Sequence, residues 1–147
     1  MDLARGFTLI ELLLVITLIA IASALVTASL RDPQEAQLQA DAVRLSALLE
    51  SARAEARASG VAAYFELRRP DQAEAFRFVG LGAVRDWPTQ WLQADVSADI
   101  VGGRRLTLGP EPVIGAQRIQ LRLGERRLSL VTDGLAPFAV ADGGSAP

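Results

Sequence analysis

Cysteine, histidine and lysine are all missing from this chain. Without His and Cys, the commonest ligands of zinc, copper and haem are absent. Cys- and His-based nucleophiles and any Ser–His–Asp arrangement are excluded with them. No disulfide can hold the fold, so packing must do so. That leaves the compartment open, because a periplasmic protein need not carry a disulfide. All fifteen basic residues are Arg, against seventeen acidic ones. The net charge of −2, with Arg interleaved among acids, argues against non-specific nucleic-acid binding. Asp71, Asp86, Asp95, Asp99 and Asp133 carry oxygens suited to calcium, but none sits in a dense, regularly spaced acidic loop. Gly102-Gly103 and Gly143-Gly144 lie outside a strand–loop–helix context, so neither reads as a phosphate loop. The expectation is a protein without catalytic residues, metal or cofactor, and not an enzyme.

What the chain does have is apolarity, unevenly spread. Its 147 residues allow one domain with a modest core. Half of them are apolar, and the excess lies before Arg31. Residues 12–30 contain no charge, and the hydroxyls of Thr17, Ser23, Thr27 and Ser29 can bond back to a helix. With residues 7–11 the segment reaches the ~20 residues that span a ~30 Å hydrocarbon layer. A secretory signal peptide would need a shorter apolar run with a small-residue cleavage site after it. Here Ala22-Ser23-Ala24 sits mid-run. A plain membrane anchor explains the length but not Glu11. A carboxylate at the bilayer centre costs about 2.5–3.5 kcal/mol, less near the end of the span.

A third reading accounts for Glu11. The string Gly6-Phe7-Thr8-Leu9-Ile10-Glu11 resembles the class III signal of type IV pilins and pseudopilins. The resemblance implies that prepilin peptidase cleaves after Gly6 on the cytoplasmic side and N-methylates Phe7, and that the apolar segment is retained. Gly6 has no side chain, so the scissile bond can enter a narrow groove in extended form. Cleavage creates a cationic amine on Phe7, four residues before Glu11. In the family's filament, the Glu of one subunit pairs with the terminal amine of a neighbour. A paired carboxylate is tolerated in a low-dielectric core where an unpaired one is costly, so Glu11 would set assembly register. The leader departs from the family's usual basic character, because Asp2 offsets Arg5 and weakens the positive-inside bias.

After Pro33, residues 34–59 show a helical pattern. Leu38, Ala42, Leu45, Leu48, Leu49, Ala52 and Ala56 recur at three- and four-residue steps and read as a core stripe. Arg44, Arg53, Arg57, Glu50 and Glu55 are expected mostly off it, and Gly60 reads as the C-terminal cap. Pro33 either starts this helix or kinks one continuous rod.

From residue 61 the period becomes two. Residues 61–67 and 75–81 read as a hairpin across a Pro70-Asp71 turn. Trp87 and Trp91 lie in a loop at 86–92, either covering a core edge or contacting another subunit. Residues 104–108 read as a short strand before the breaker Gly109-Pro110-Glu111-Pro112. The clearest hairpin joins 118–123 to 126–131 through Gly124-Glu125, with Gly suiting the first central position of a type II′ turn. It pairs Leu121 with Leu128 and Ile119 with Leu130 on one face, and sets Arg122 against Arg127 on the other. Two opposed Arg side chains mildly destabilise a solvated face, so that face is expected to meet acidic groups on a partner. Asp133-Gly134 is a further turn before a last strand at 138–140.

The expected fold is α+β and pilin-like: a long N-terminal helix, half in the membrane and half amphipathic, packed on a C-terminal antiparallel β-sheet head. The expected boundaries are a leader at 1–6, a transmembrane and filament-core helix at 7–30, and an amphipathic helix at 31–60. A β-rich periplasmic head at 61–142 and a flexible tail at 143–147 follow.

Residues 128–138, ending Asp133-Gly134-Leu135-Ala136-Pro137-Phe138, resemble the ending of H-type minor pseudopilins. The C-terminal Cys pair common in type IV pilins is missing, and so is an evident counterpart of the calcium loop of major pseudopilins. The resemblance implies a structural subunit of the type II secretion pseudopilus, which supports export of folded proteins across the outer membrane. It implies an inner-membrane, single-pass protein with a periplasmic C-terminal head. The partners implied are prepilin peptidase, the major and other minor pseudopilins, the inner-membrane assembly platform and membrane lipid, with nucleic acid not expected. The alternatives are a minor pilin of a type IV pilus or DNA-uptake pseudopilus, or a membrane-anchored periplasmic binding protein, which would leave Gly6 uncut.

Overall fold

The computed structural model describes residues 8–29, 32–69, 71–82 and 86–141. The chain divides into two compact units, 1–33 and 34–147. The expected cleavage site at Gly6 and Phe7 and the tail at 143–147 lie outside the described residues.

The first unit contains helix α1, Leu9–Ser29. It begins at Thr8, whose carbonyl accepts the backbone N–H of Glu11 at 3.0 Å and of Leu12 at 3.2 Å. Thr17 returns its hydroxyl to the Leu13 carbonyl at 2.7 Å, so this polar group is satisfied within the helix. Side chains of α1 are described only as far as Ser23. Among the described residues, no helix is long and apolar enough to cross a membrane.

Helix α2, Pro33–Ser59, has Pro33 as its first residue. Pro suits that position because its fixed φ is helical and its missing N–H would have had no partner. Pro33 therefore starts a helix. Gly60 follows the last turn, where the cap was expected. The buried face carries Leu38, Ala42, Leu45, Leu49, Ala52 and Ala56, as their spacing predicts. It also carries Asp41 and Arg53, which corrects the placing of Arg53 off the stripe.

Among the described residues seven strands follow: β1 Ala63–Leu67, β2 Phe76–Val79, β3 Ser97–Val101, β4 Arg105–Gly109, β5 Gln117–Leu123, β6 Arg126–Thr132 and β7 Ala139–Ala141. They form two antiparallel sheets, ordered β2-β1-β4 and β3-β5-β6-β7, where one sheet was expected. The first hairpin pairs Phe65 with Phe78. The second pairs Leu121 with Leu128, Ile119 with Leu130 and Arg122 with Arg127, in the register read from its turn. Gly124 has φ of 56° and no non-glycine residue among the described ones has positive φ, so the turn carries a positive φ only at its first central position. That is the type II′ pattern and excludes type I′.

Strand β3 was not anticipated. It is an edge strand that pairs only with β5. Its sequence, Ser-Ala-Asp-Ile-Val, alternates between exposed and half-buried positions, so the apolar contrast is weak.

One core joins α2 to both sheets. Leu38, Leu45, Leu49, Phe65, Phe76, Leu106, Leu108, Ile119, Leu121, Leu130 and Phe138 are its large members. Each such side chain contributes about 1.5–3 kcal/mol on burial. Small residues on α2 let strands approach closely: a Cβ on Gly109 would lie 2.9 Å from the Ala56 Cβ. The result is an α+β, pilin-like fold, with an N-terminal helix packed on antiparallel sheets.

Candidate functional site

The first turn of α1 is built by Thr8 and Glu11. Thr8 takes the N-cap position, and its Oγ1 lies 3.4 Å from the Glu11 N–H. Glu11 then falls in the first turn, where the helix dipole favours a negative charge by about 0.3–1 kcal/mol. Its carboxylate is exposed and makes no hydrogen bond or ion pair among the described residues. Around it the helix is apolar on every side. Leu9 is 78% exposed, Ile10 75% and Leu13 51%. A helix that is apolar all round belongs inside lipid or a packed assembly. The arrangement presents one carboxylate on an otherwise apolar rod, suited to a cationic group arriving within that low-dielectric surface.

The candidate contacts on the head stand apart from one another. Trp91 stacks on Phe76 at 4.6 Å and Trp87 on Phe78 at 4.8 Å between ring centroids. Phe65 joins the cluster at 5.3 Å from Phe76 and 5.4 Å from Phe78. Both Trp side chains are half-buried and cover the core edge. Helix α2 pins their loop. The Asp41 carboxylate accepts the backbone N–H of Leu92 at 2.7 Å and of Gln93 at 3.3 Å, and Arg44 donates to the Gln90 carbonyl at 2.9 Å.

Arg122 has an acid within its own chain. Its Nη2 lies 2.6 Å from Asp99 Oδ2 on β3. Strand β3 places Ser97 opposite Arg122 and Asp99 opposite Gln120, which brings the Asp99 carboxylate diagonally across. Asp99 was not seen as a neighbour of Arg122 because β3 was not read as a strand. Arg127 is opposite Arg122 in register and exposed.

The segment after β6 is held by groups that sequence reasoning missed. Arg53 is 2% exposed. Its Nη2 donates to the Gly134 carbonyl at 3.2 Å, and its Nη1 to the Ala136 carbonyl at 3.1 Å and to Glu50 Oε1 at 3.0 Å. The same Glu50 oxygen accepts the Phe138 N–H at 3.0 Å. Ser46 donates its hydroxyl to the Phe138 carbonyl. A signal existed: Arg53 lies four residues after Leu49 and three before Ala56, in line with the buried stripe.

Asp133 closes the turn by accepting from Leu135 N–H at 2.9 Å and Ala136 N–H at 2.7 Å. Those bonds, the one from Ala136 foremost, hold its carboxyl below the usual carboxylate range. This explains Asp133 as a turn residue, as its pairing with Gly134 suggested. No group of three or more carboxylates suited to a metal ion occurs among the described residues.

Comparison with known proteins adds one finding. The model of the prokaryotic N-terminal methylation motif matches residues 1–27. Neither a curated protein nor a solved structure shows a significant match to this chain. Residues 1–27 thus carry a type IV pilin-like N-terminal signal of the kind processed by prepilin peptidase.

Proposed function

We propose that this protein is a minor pseudopilin, a structural subunit of a type II secretion pseudopilus that supports export of folded proteins across the outer membrane. The observation that carries the reading is the isolated Glu11 carboxylate in the first turn of an all-apolar helix, inside the matched methylation motif. Prepilin peptidase cuts after Gly6 and methylates Phe7. The retained segment, residues 7–30, spans the inner membrane with the head in the periplasm. Assembly then carries α1 from lipid into the filament, where its apolar surface packs against neighbouring helices. Glu11 meets the terminal amine of an adjacent subunit there, and each charge removes the cost of burying the other.

The H-type assignment draws support from the end of the chain. Strand β6, the Asp133-Gly134 turn, Pro137-Phe138 and the short strand β7 follow one another as that ending requires. The role is structural: the chain supplies a helix contact, a charge pairing and a β-rich head that selects neighbours, and no catalysis. Its partners are the major pseudopilin, other minor pseudopilins and the assembly platform.

The test is deletion of the gene, followed by assays of secretion, twitching and transformation. Loss of exoprotein secretion alone is the expected result. Loss of twitching or DNA uptake with secretion intact would move the protein to a type IV pilus or a DNA-uptake pseudopilus.

A further inference from the structure

At one end of the head, chain turns and a loop enclose a cleft of about 840 Å³. Its walls come from the β1–β2 turn, the loop before β3, β3 itself and the β3–β4 turn. A second hollow of about 680 Å³ shares Leu67, Arg68, Arg69, Gln72 and Arg104 with it and adds Arg105 and Glu66. Four guanidinium groups from two turns distant in sequence therefore converge on one surface.

The acids nearby offset only part of this charge. Glu66 is engaged by Arg77, through Nε at 3.1 Å and Nη2 at 2.8 Å. Asp99 is taken by Arg122. Glu74 forms an ion pair with Arg68, its carboxylate 3.8 Å from Nε. Asp95 is the remaining acid on the wall. Arg69 and Arg104 are exposed and form no ion pair among the described residues. Arg105 lies over the Tyr64 ring at 3.9 Å, which fixes its plane and leaves its edge N–H groups for an acceptor.

Arg69, Arg104 and Arg105 thus outnumber Asp95 as groups without an ion pair among the described residues, and an anionic ligand relieves that surplus. Arg forks match carboxylate and phosphate alike. The rest of the cleft separates the two. Leu67, Trp91 and Val96 line it, and an apolar wall beside guanidinium groups offers a bare phosphate nothing but suits a peptide with alternating acidic and apolar side chains.

We propose that this cleft binds an extended acidic segment of a protein partner, its carboxylates on Arg69 and Arg104 and an apolar side chain against Leu67 and Trp91. The inference goes beyond the filament assignment and does not depend on it, because it concerns the head alone.

The test uses the full chain in non-ionic detergent and a fluorescent peptide of alternating Glu and Leu, read by anisotropy. Saturable binding that weakens with added salt is expected. Replacing each Glu of the peptide by Gln should abolish it. Arg69→Gln combined with Arg104→Gln should weaken it about tenfold, whereas Arg127→Gln, which does not line the cleft, should leave it unchanged. Should the double variant fail to fold, Arg104→Gln alone should still weaken binding about threefold. Unchanged affinity in a folded variant would overturn the proposal. So would equal binding of the Gln peptide, or inorganic phosphate displacing the Glu peptide at equal concentration, which would mark a simple oxyanion site.

Discussion

Arg53 on α2 donates to the Gly134 carbonyl at 3.2 Å across 81 residues of sequence, and this contact ties the helix to the segment between the last two strands. Its partner oxygens are backbone carbonyls and one carboxylate, so its charge is spread over groups that cannot leave. Replacing Arg53 by Ala would strip hydrogen bonds from Gly134, Ala136 and Glu50 at once. Removing one member of a buried charged network costs about 3–5 kcal/mol. Because Glu50 is partly exposed, a loss of about 3 kcal/mol is expected in urea unfolding. A loss below about 1 kcal/mol would mean that the segment is held by Phe138 burial instead.

Asp133 gives the same segment a pH dependence. Its carboxyl is depressed in the folded protein by N–H bonds from Ala136 and Leu135. A depressed acid contributes stability that is fully present above its unfolded value of 3.8 and is lost as pH falls through the folded value. Stability should therefore fall below pH 3.8 more steeply in the wild type than in Asp133→Asn, whose amide oxygen can still accept both bonds but cannot titrate in this range. Thermal midpoints at a series of acidic pH values check this. Parallel curves for the two proteins would remove Asp133 from the account.

The Arg122–Asp99 pair is short but exposed on both sides, with side chains 42% and 62% accessible. Exposed pairs contribute about 0–1 kcal/mol. Asp99→Ala should accordingly change stability by less than about 1 kcal/mol in the same urea assay. A larger loss would show that the pair anchors β3 to β5.

How much of this was legible beforehand follows from contrast along the chain. The β5–β6 register was readable because Gly124-Glu125 sits between two cleanly alternating runs, and a one-residue slip would turn every Leu outward. The stripe of α2 was readable from Leu and Ala spacing. Arg53 and Asp41 were not assigned to the buried face, because charge was taken to mean solvent. Their partners are backbone groups of loops, which carry no sequence signature. Strand β3 was missed for want of apolar contrast, and with it went the acid that answers Arg122. The same omission hid the Arg-lined cleft, since Arg104 meets Arg68 and Arg69 only once the β3–β4 turn is in place. On α1, the motif around Glu11 was legible in full, being local and linear.

Glu11 is the residue on which assembly should depend. Glu11→Leu removes a charge from an apolar helix and should leave membrane insertion unimpaired. It also removes the partner of a neighbour's amine, so incorporation into filaments should fall sharply. Cell fractionation and recovery in sheared filaments separate the two steps. Normal recovery of the variant would contradict the pairing.

The most direct measurement is the mass of the N-terminal peptide of the protein purified from its own membranes. The account predicts a chain that begins at Phe7 with one methyl group on its amine, and a strain lacking prepilin peptidase should keep residues 1–6 attached. A mature chain that still starts at Met1 in the wild type, or that starts beyond residue 30, would contradict it.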